Sequence, residues 1–162
     1  VARALSGIAV EVLADGDLVA AAQCIAIDAE AFPYESTRFG RRPVNAIVWV
    51  AREERHPDRA GKARVGGFLA ARVRVDRLDI DGVAVGSGSR RRGLGRELLR
   101  AALRESRARG LRVVVLHVAV GNTAALALYE AEGFAIRRRL RGFYPAAAFG
   151  GERDAYEMVK RP

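Results

Sequence analysis

Cysteine occurs once in the 162 residues, at Cys24, so the chain can form no internal disulfide and suits a reducing compartment. Lysine is nearly as scarce. Lys62 and Lys160 are the only two, and arginine supplies the rest of the 28 basic residues. Histidine appears twice, at His56 and His117, and no metal site is expected. No apolar run is long enough to cross a bilayer, and the opening VARALSGIAVEVLADGD lacks the apolar core of a signal peptide. The sequence therefore reads as a soluble, cytoplasmic protein with no membrane partner.

Half of the residues are hydrophobic, which predicts a globular chain, and the length suits a single domain over residues 1–162 with a sizeable core. The formal charge of +9 favours anionic partners such as a phosphorylated cofactor, nucleic acid or a ribosomal surface. Arginine in place of lysine, beside abundant alanine, is also what a biased genomic base composition produces. Charge alone does not choose among these partners.

IAVEVL (8–13) alternates as a strand does, and Asp15 or Asp17 is placed to cap the Ala-rich helix that Pro33 stops. VNAIVWVARE and RVGGFLAARVRV read as strands joined by the loop ERHPDRAGKA, and LDIDGVAV (78–85) as a third. Leu94, Leu98, Leu99, Ala102 and Leu103 then recur at helical spacing up to Gly110. RVVVLHV is apolar enough for a central strand, Asn122 caps a second short helix that Gly133 closes, and two strands finish the chain. The expectation is an α/β fold in the order β-α-β-β-β-α-β-α-β-β around a mixed, mainly antiparallel sheet.

SRRRGLGREL (89–98) joins a strand to a helix and sets three arginines beside two glycines, a pattern suited to phosphate at a helix N-terminus. A P-loop would need Lys followed by Ser or Thr after the second glycine, and no lysine is near. A dinucleotide fingerprint would need a third glycine where Leu98 stands and an acid at the end of the next strand, which VVVL lacks. What remains is Arg90-x-x-Gly93-x-Gly95, a strand, then Asn122, Tyr129 and Gly133-Phe134 in register.

That series resembles the GNAT superfamily of acyl-CoA-dependent N-acyltransferases. The resemblance implies a GNAT-like fold with acetyl-CoA as cosubstrate. Its pyrophosphate would be cradled by the loop Arg90, Arg91, Arg92, Gly93, Leu94, Gly95 and Arg96, with the two glycines keeping side chains clear of it. The strand Val83, Ala84, Val85 would pair with the pantetheine arm, and Asn122 would belong to the same site. The ending GSGS departs from the usual Asp-Pro and implies a looser turn. Tyr129 matches the tyrosine that family members place near the sulfur, although its spacing from Leu126 also fits a core aromatic.

LHVAVGNTAALALYEAEGF is similar to the corresponding segment of protein N-terminal acetyltransferases, which makes His117 a proton acceptor, directly or through water. A buried, satisfied histidine is the alternative, and Asp79, Asp81 and bulk water compete for the role. AFPYES (31–36) and GFYP followed by GGERDAYEM resemble bacterial enzymes that acetylate the N-terminal alanine of a ribosomal protein. The resemblance makes Phe32, Pro33, Tyr34, Phe143 and Tyr144 the walls of a peptide cleft. Relatives often carry Tyr-Tyr where this chain has Phe143-Tyr144. The implied activity is transfer of acetyl to the N-terminal amine of a protein or peptide, with ribosomal proteins among the candidates, by a monomer or homodimer. A small-amine acetyltransferase is the alternative, and a noncatalytic nucleic-acid or ribosome-binding module a more distant one.

Overall fold

The computed structural model describes residues 7–33, 45–57, 61, 63–145 and 148–162, and of 55–57 and 148–149 the backbone alone. Apolar stretches, continuous and buried in the middle strands, build β1 (Ile8–Val12), β2 (Ala46–Pro57), β3 (Ala63–Val73) and β4 (Arg77–Val85). The apolar run Val113–Ala119 forms β5, and β6 (Ala135–Leu140) and β7 (Ala155–Lys160) complete one seven-stranded sheet. Helices α1 (Leu18–Ala31), α2 (Leu94–Ala108) and α3 (Thr123–Ala131) fall where the periodicity places them. The expected element order is met throughout.

Side-chain caps fix two helix starts. Asp17 accepts from the Ala20 N–H at 3.0 Å, and Asn122 from the Ala125 N–H at 3.2 Å. The amphipathic α2 buries Leu94, Leu98, Leu99, Ala102 and Leu103 on one face of the sheet against Leu69, Leu78, Leu116 and Met158. Opposite it, α1 lays Ala20, Cys24 and Ile27 on Val48, Val50, Phe68 and Ala84. Cys24 is thus a core residue.

The sheet runs β1-β2-β3-β4-β5-β7-β6, antiparallel except between β4 and β5. That pair is parallel because α2 carries the chain back from the end of β4 to the start of β5. Its ladder holds only Arg77↔Val113, Leu78↔Val114 and Asp79↔Val115. Two residues later β4 is bulged: Ala71 faces Ile80 and Ala70 faces Gly82, so Asp81 is an extra residue without a partner position. A bulge bends its strand, and beyond this one β4 pairs with β3 alone through Val83, Ala84 and Val85. β5 meanwhile continues along β7 through Ala119. The strands part, leaving one edge of β4 open toward a gap in the middle of the sheet.

Candidate active site

At the end of β4 the chain makes a short turn, Ser87–Ser89, and then enters α2. Gly93 is the N-cap residue at φ +88°, where a Cβ would meet no neighbour but the backbone conformation itself excludes most side chains. Arg91, at φ +61°, is the only non-glycine with positive φ among the described residues, a conformation characteristic of functional turns. The first helical bond runs from the Glu97 N–H to the Gly93 carbonyl. The N–H groups of Arg91 through Arg96 consequently have no partner among the described residues, and they gather at the positive end of the α2 dipole.

The turn expected to be loose is tied down. Ser89 is buried, and its hydroxyl donates to Glu53 Oε2 at 2.6 Å, while Arg92 Nη1 donates to Glu53 Oε1 at 2.8 Å. Glu53 is itself buried on β2, where Gly66 leaves room for it. A Cβ on Gly66 would lie 2.6 Å from Leu94 and 2.9 Å from both Glu53 and Ser89. At Gly95 the missing Cβ faces Leu128 at 3.2 Å and Val85 at 3.9 Å. Its bareness lets α2 approach α3. The arginines are also partly engaged: Arg90 Nε donates to the Val85 carbonyl with Glu30 3.6 Å from its guanidinium, and Arg96 pairs with Glu132. Asn122 spends its side-chain oxygen on the cap of α3.

His117 lies on β5 directly opposite Glu157 of β7, two residues beyond the last β4–β5 pair. Its Nε2 is 3.3 Å from Glu157 Oε2, and its ring stacks on Phe143 with centroids 4.7 Å apart. Glu157 is buried and accepts two further bonds from Arg138 at 3.0 Å each. The Arg138 guanidinium, outweighing the desolvation that acts the other way and aided by His117, holds this carboxyl below its ordinary range. The sequence reading passed over Glu157 and Arg138. A lone carboxylate inside AYEMVK was the available signal.

Tyr129 is buried on α3, edge-on to Phe134 at 6.0 Å. Burial, with a smaller contribution from the neighbouring Tyr144 phenol, pushes its hydroxyl pKa up, so it stays protonated. Tyr144 is buried in turn and meets Phe143 edge-on at 4.9 Å. Phe143, read as cleft wall, therefore also touches the candidate base. The competing carboxylates are both held by arginine: Asp81 takes two bonds from Arg72, and Asp79 pairs with Arg74 and Arg77. Phe32 caps the end of α1 and packs on the core under that helix, and Pro33 is exposed beside it. Tyr34 and the side chain of His56 lie outside the described residues.

Comparison with known proteins sets this geometry in context. A family profile described as "Acetyltransferase (GNAT) family" matches residues 3–134. A curated relative, the [ribosomal protein bS18]-alanine N-acetyltransferase of Salmonella typhimurium, is 36% identical over 154 residues, covering 93% of this chain and 95% of that protein. The solved structure of the ribosomal-protein-S18-alanine N-acetyltransferase from Escherichia coli superposes with a TM-score of 0.76 at 29% identity, covering 95% of this chain and 93% of that one. NAA60 of Arabidopsis thaliana in complex with acetyl-CoA shares the fold at a TM-score of 0.80 and 22% identity, covering 95% and 98% of the two chains.

Proposed function

The chain belongs to the acetyltransferase (GNAT) family, and from that premise we propose that it transfers the acetyl group of acetyl-CoA to the N-terminal α-amine of a protein. The observation that carries the choice of acceptor is the similarity to a ribosomal-protein alanine N-acetyltransferase across nearly the whole chain, not only across the helix and loop that face the cosubstrate.

The residues present fit the cosubstrate. Unpartnered N–H groups from Arg91 to Arg96 offer a diphosphate several donors at a helix N-terminus, and Gly93 leaves its approach open. The open edge of β4 offers backbone donors and acceptors to an amide-bearing arm at Val83–Val85. Bound there, acetyl-CoA supplies an activated thioester. His117 accepts a proton from the substrate ammonium, directly or through water, and so frees the amine lone pair to attack the thioester; the competing carboxylates Asp79 and Asp81 are both paired with arginines. Tyr129, kept protonated by burial, is the proton donor for the departing thiolate. Phe32 and Pro33 at the end of α1, with Phe143 and Tyr144 between β6 and β7, are assigned to the walls that hold the peptide. A ribosomal protein is the acceptor class this reading favours.

Initial rates on three acceptors test it: a free Ala- or Ser-initiated peptide, the same peptide α-acetylated with an internal lysine, and spermidine. The free N-terminal peptide is expected to react fastest. A clear advantage for spermidine or the lysine peptide overturns the acceptor assignment and leaves the acetyltransferase chemistry standing.

A further inference from the structure

We propose that Glu157 is a positioning residue for His117: with Arg138 behind it and Phe143 on the ring face, it fixes the imidazole as the Nε2–H tautomer and leaves Nδ1 as the free acceptor. The inference rests on the assignment of His117 as the base and adds the means by which that base is held ready.

The two ring nitrogens of a neutral imidazole differ, one donating and one accepting, and the partner of one decides the state of the other. Among the described residues only Nε2 has a polar partner, the Glu157 carboxylate at 3.3 Å. Glu157 cannot donate, because the paired Arg138 guanidinium keeps it ionised, and an ionised carboxylate is acceptor-only. The proton must therefore sit on Nε2. Nδ1 then carries the lone pair, and no described residue occupies it.

A half-turn of the ring would put Cε1 where Nε2 stands and Cδ2 where Nδ1 stands, breaking the contact with Glu157, and the packing opposes it. Phe143 lies on the ring face, tilted by only 23°, and Tyr144 buttresses Phe143 from its edge. Glu157 is likewise immobilised, since its two oxygens are shared between Arg138 and His117, with Arg137 3.8 Å away. The adjacent ladder pair His117↔Glu157 sets all of this in the backbone register.

The charges around His117 come from β7, with Glu157, and from β6, with Arg137 and Arg138 behind it. On the neighbouring β4, Asp79 and Asp81 are paired with Arg72, Arg74 and Arg77. Glu157 is thus the one carboxylate bonded to the ring. Its charge lies against the ring on one side and against the arginines on the other.

Glu157→Gln tests the proposal. Its side-chain carbonyl can still accept from Arg138, which turns the amide NH2 toward Nε2 and demands the opposite tautomer. In protein labelled with 15N in its two histidines, the His117 nitrogens are read directly after His56→Gln removes the other signal. The wild-type protein is expected to show protonated Nε2 and bare Nδ1 near pH 8, and Glu157→Gln a shift toward the Nδ1–H form. Turnover should fall on the order of tenfold to a hundredfold in Glu157→Gln with KM for acetyl-CoA unchanged, and the acidic limb of the rate profile should vanish in His117→Ala. A wild-type Nδ1–H tautomer, or an unaltered tautomer and rate profile in Glu157→Gln, overturns the positioning role even while His117→Ala abolishes the limb. A limb that survives His117→Ala instead overturns the base assignment on which the proposal rests. Circular dichroism and acetyl-CoA affinity of each variant establish that it is folded.

Discussion

The Ser89 hydroxyl, last residue of the turn after β4, donates a 2.6 Å hydrogen bond to Glu53, 36 residues away in the middle of β2. Through this bond and the Arg92–Glu53 pair, the loop that presents six unpartnered N–H groups is anchored on the far side of β3. Glu53→Ala strands a buried hydroxyl and removes the partner of Arg92. It is expected to cost about 2 kcal/mol, or roughly 4–8 °C in Tm. Ser89→Ala should weaken acetyl-CoA more than it lowers Tm. Calorimetric titration beside thermal melts separates the two effects.

Gly66→Ala places a methyl group 2.6 Å from Leu94, at the first turn of α2. The collision is with the side-chain ends of a fully buried leucine and of two hydrogen-bonded partners, so relief requires these side chains to give up their packing or their hydrogen bond. A loss of about 1–3 kcal/mol is expected from overpacking, with acetyl-CoA affinity falling alongside it. Denaturant melts check the first outcome and isothermal titration the second.

Gly93→Asp combines two penalties, a side chain at φ +88° and a negative charge where the diphosphate is assigned. Gly93→Ala carries the first alone. Affinity for acetyl-CoA should fall in both, and further in the aspartate variant. The gap between them should narrow in high salt.

Tyr129 should ionise only well above the ordinary tyrosine value of 10.0, since burial raises its pKa. Tyrosinate absorbance followed upward from pH 9 should therefore retain an unionised residue until the protein unfolds, and Tyr129→Phe should remove that component. In the same variant kcat is expected to fall with the acidic limb of the rate profile unmoved, because that limb is assigned to His117.

Glu157 gives stability its own pH dependence. Its folded-state pKa lies below the ordinary 4.5, so its contribution is complete above about pH 4.5 and is lost as the pH falls through the depressed value. The Tm advantage of wild type over Glu157→Gln should be constant from pH 6 to 8 and close toward zero in acid. Melting curves between pH 3 and 8 measure it.

The element order was legible because every strand and helix carries its own period and stop signal. Asn122, Gly110 and Gly133 mark helix ends as their chemistry dictates, and Arg90-x-x-Gly93-x-Gly95 falls at the start of α2. What stayed hidden depends on pairing at a distance. The insertion of β7 between β5 and β6 brings Glu157 to His117 across 40 residues, and nothing local to DAYEMVK announces that neighbour. The bulge at Asp81 is equally silent, since a strict alternation puts Asp79 and Asp81 on one face and the register then skips the second. Gly95 shows the converse difficulty: the motif marks its position, while only the fold reveals that its bare face lies against Leu128 of α3.

The three residue pairs between β4 and β5 leave the sheet as two wings joined at a narrow seam, with the remaining edge of β4 unmatched. A molecule lying in that gap gives the strand the partner its neighbour withholds, and so becomes a structural member as well as a reagent. At a hundredfold excess over Kd, such a ligand adds about 2.7 kcal/mol to the folded state. With acetyl-CoA in that gap, as proposed, its supply would govern two clocks at once: how often the enzyme turns over, and how long each copy survives before it opens to proteolysis.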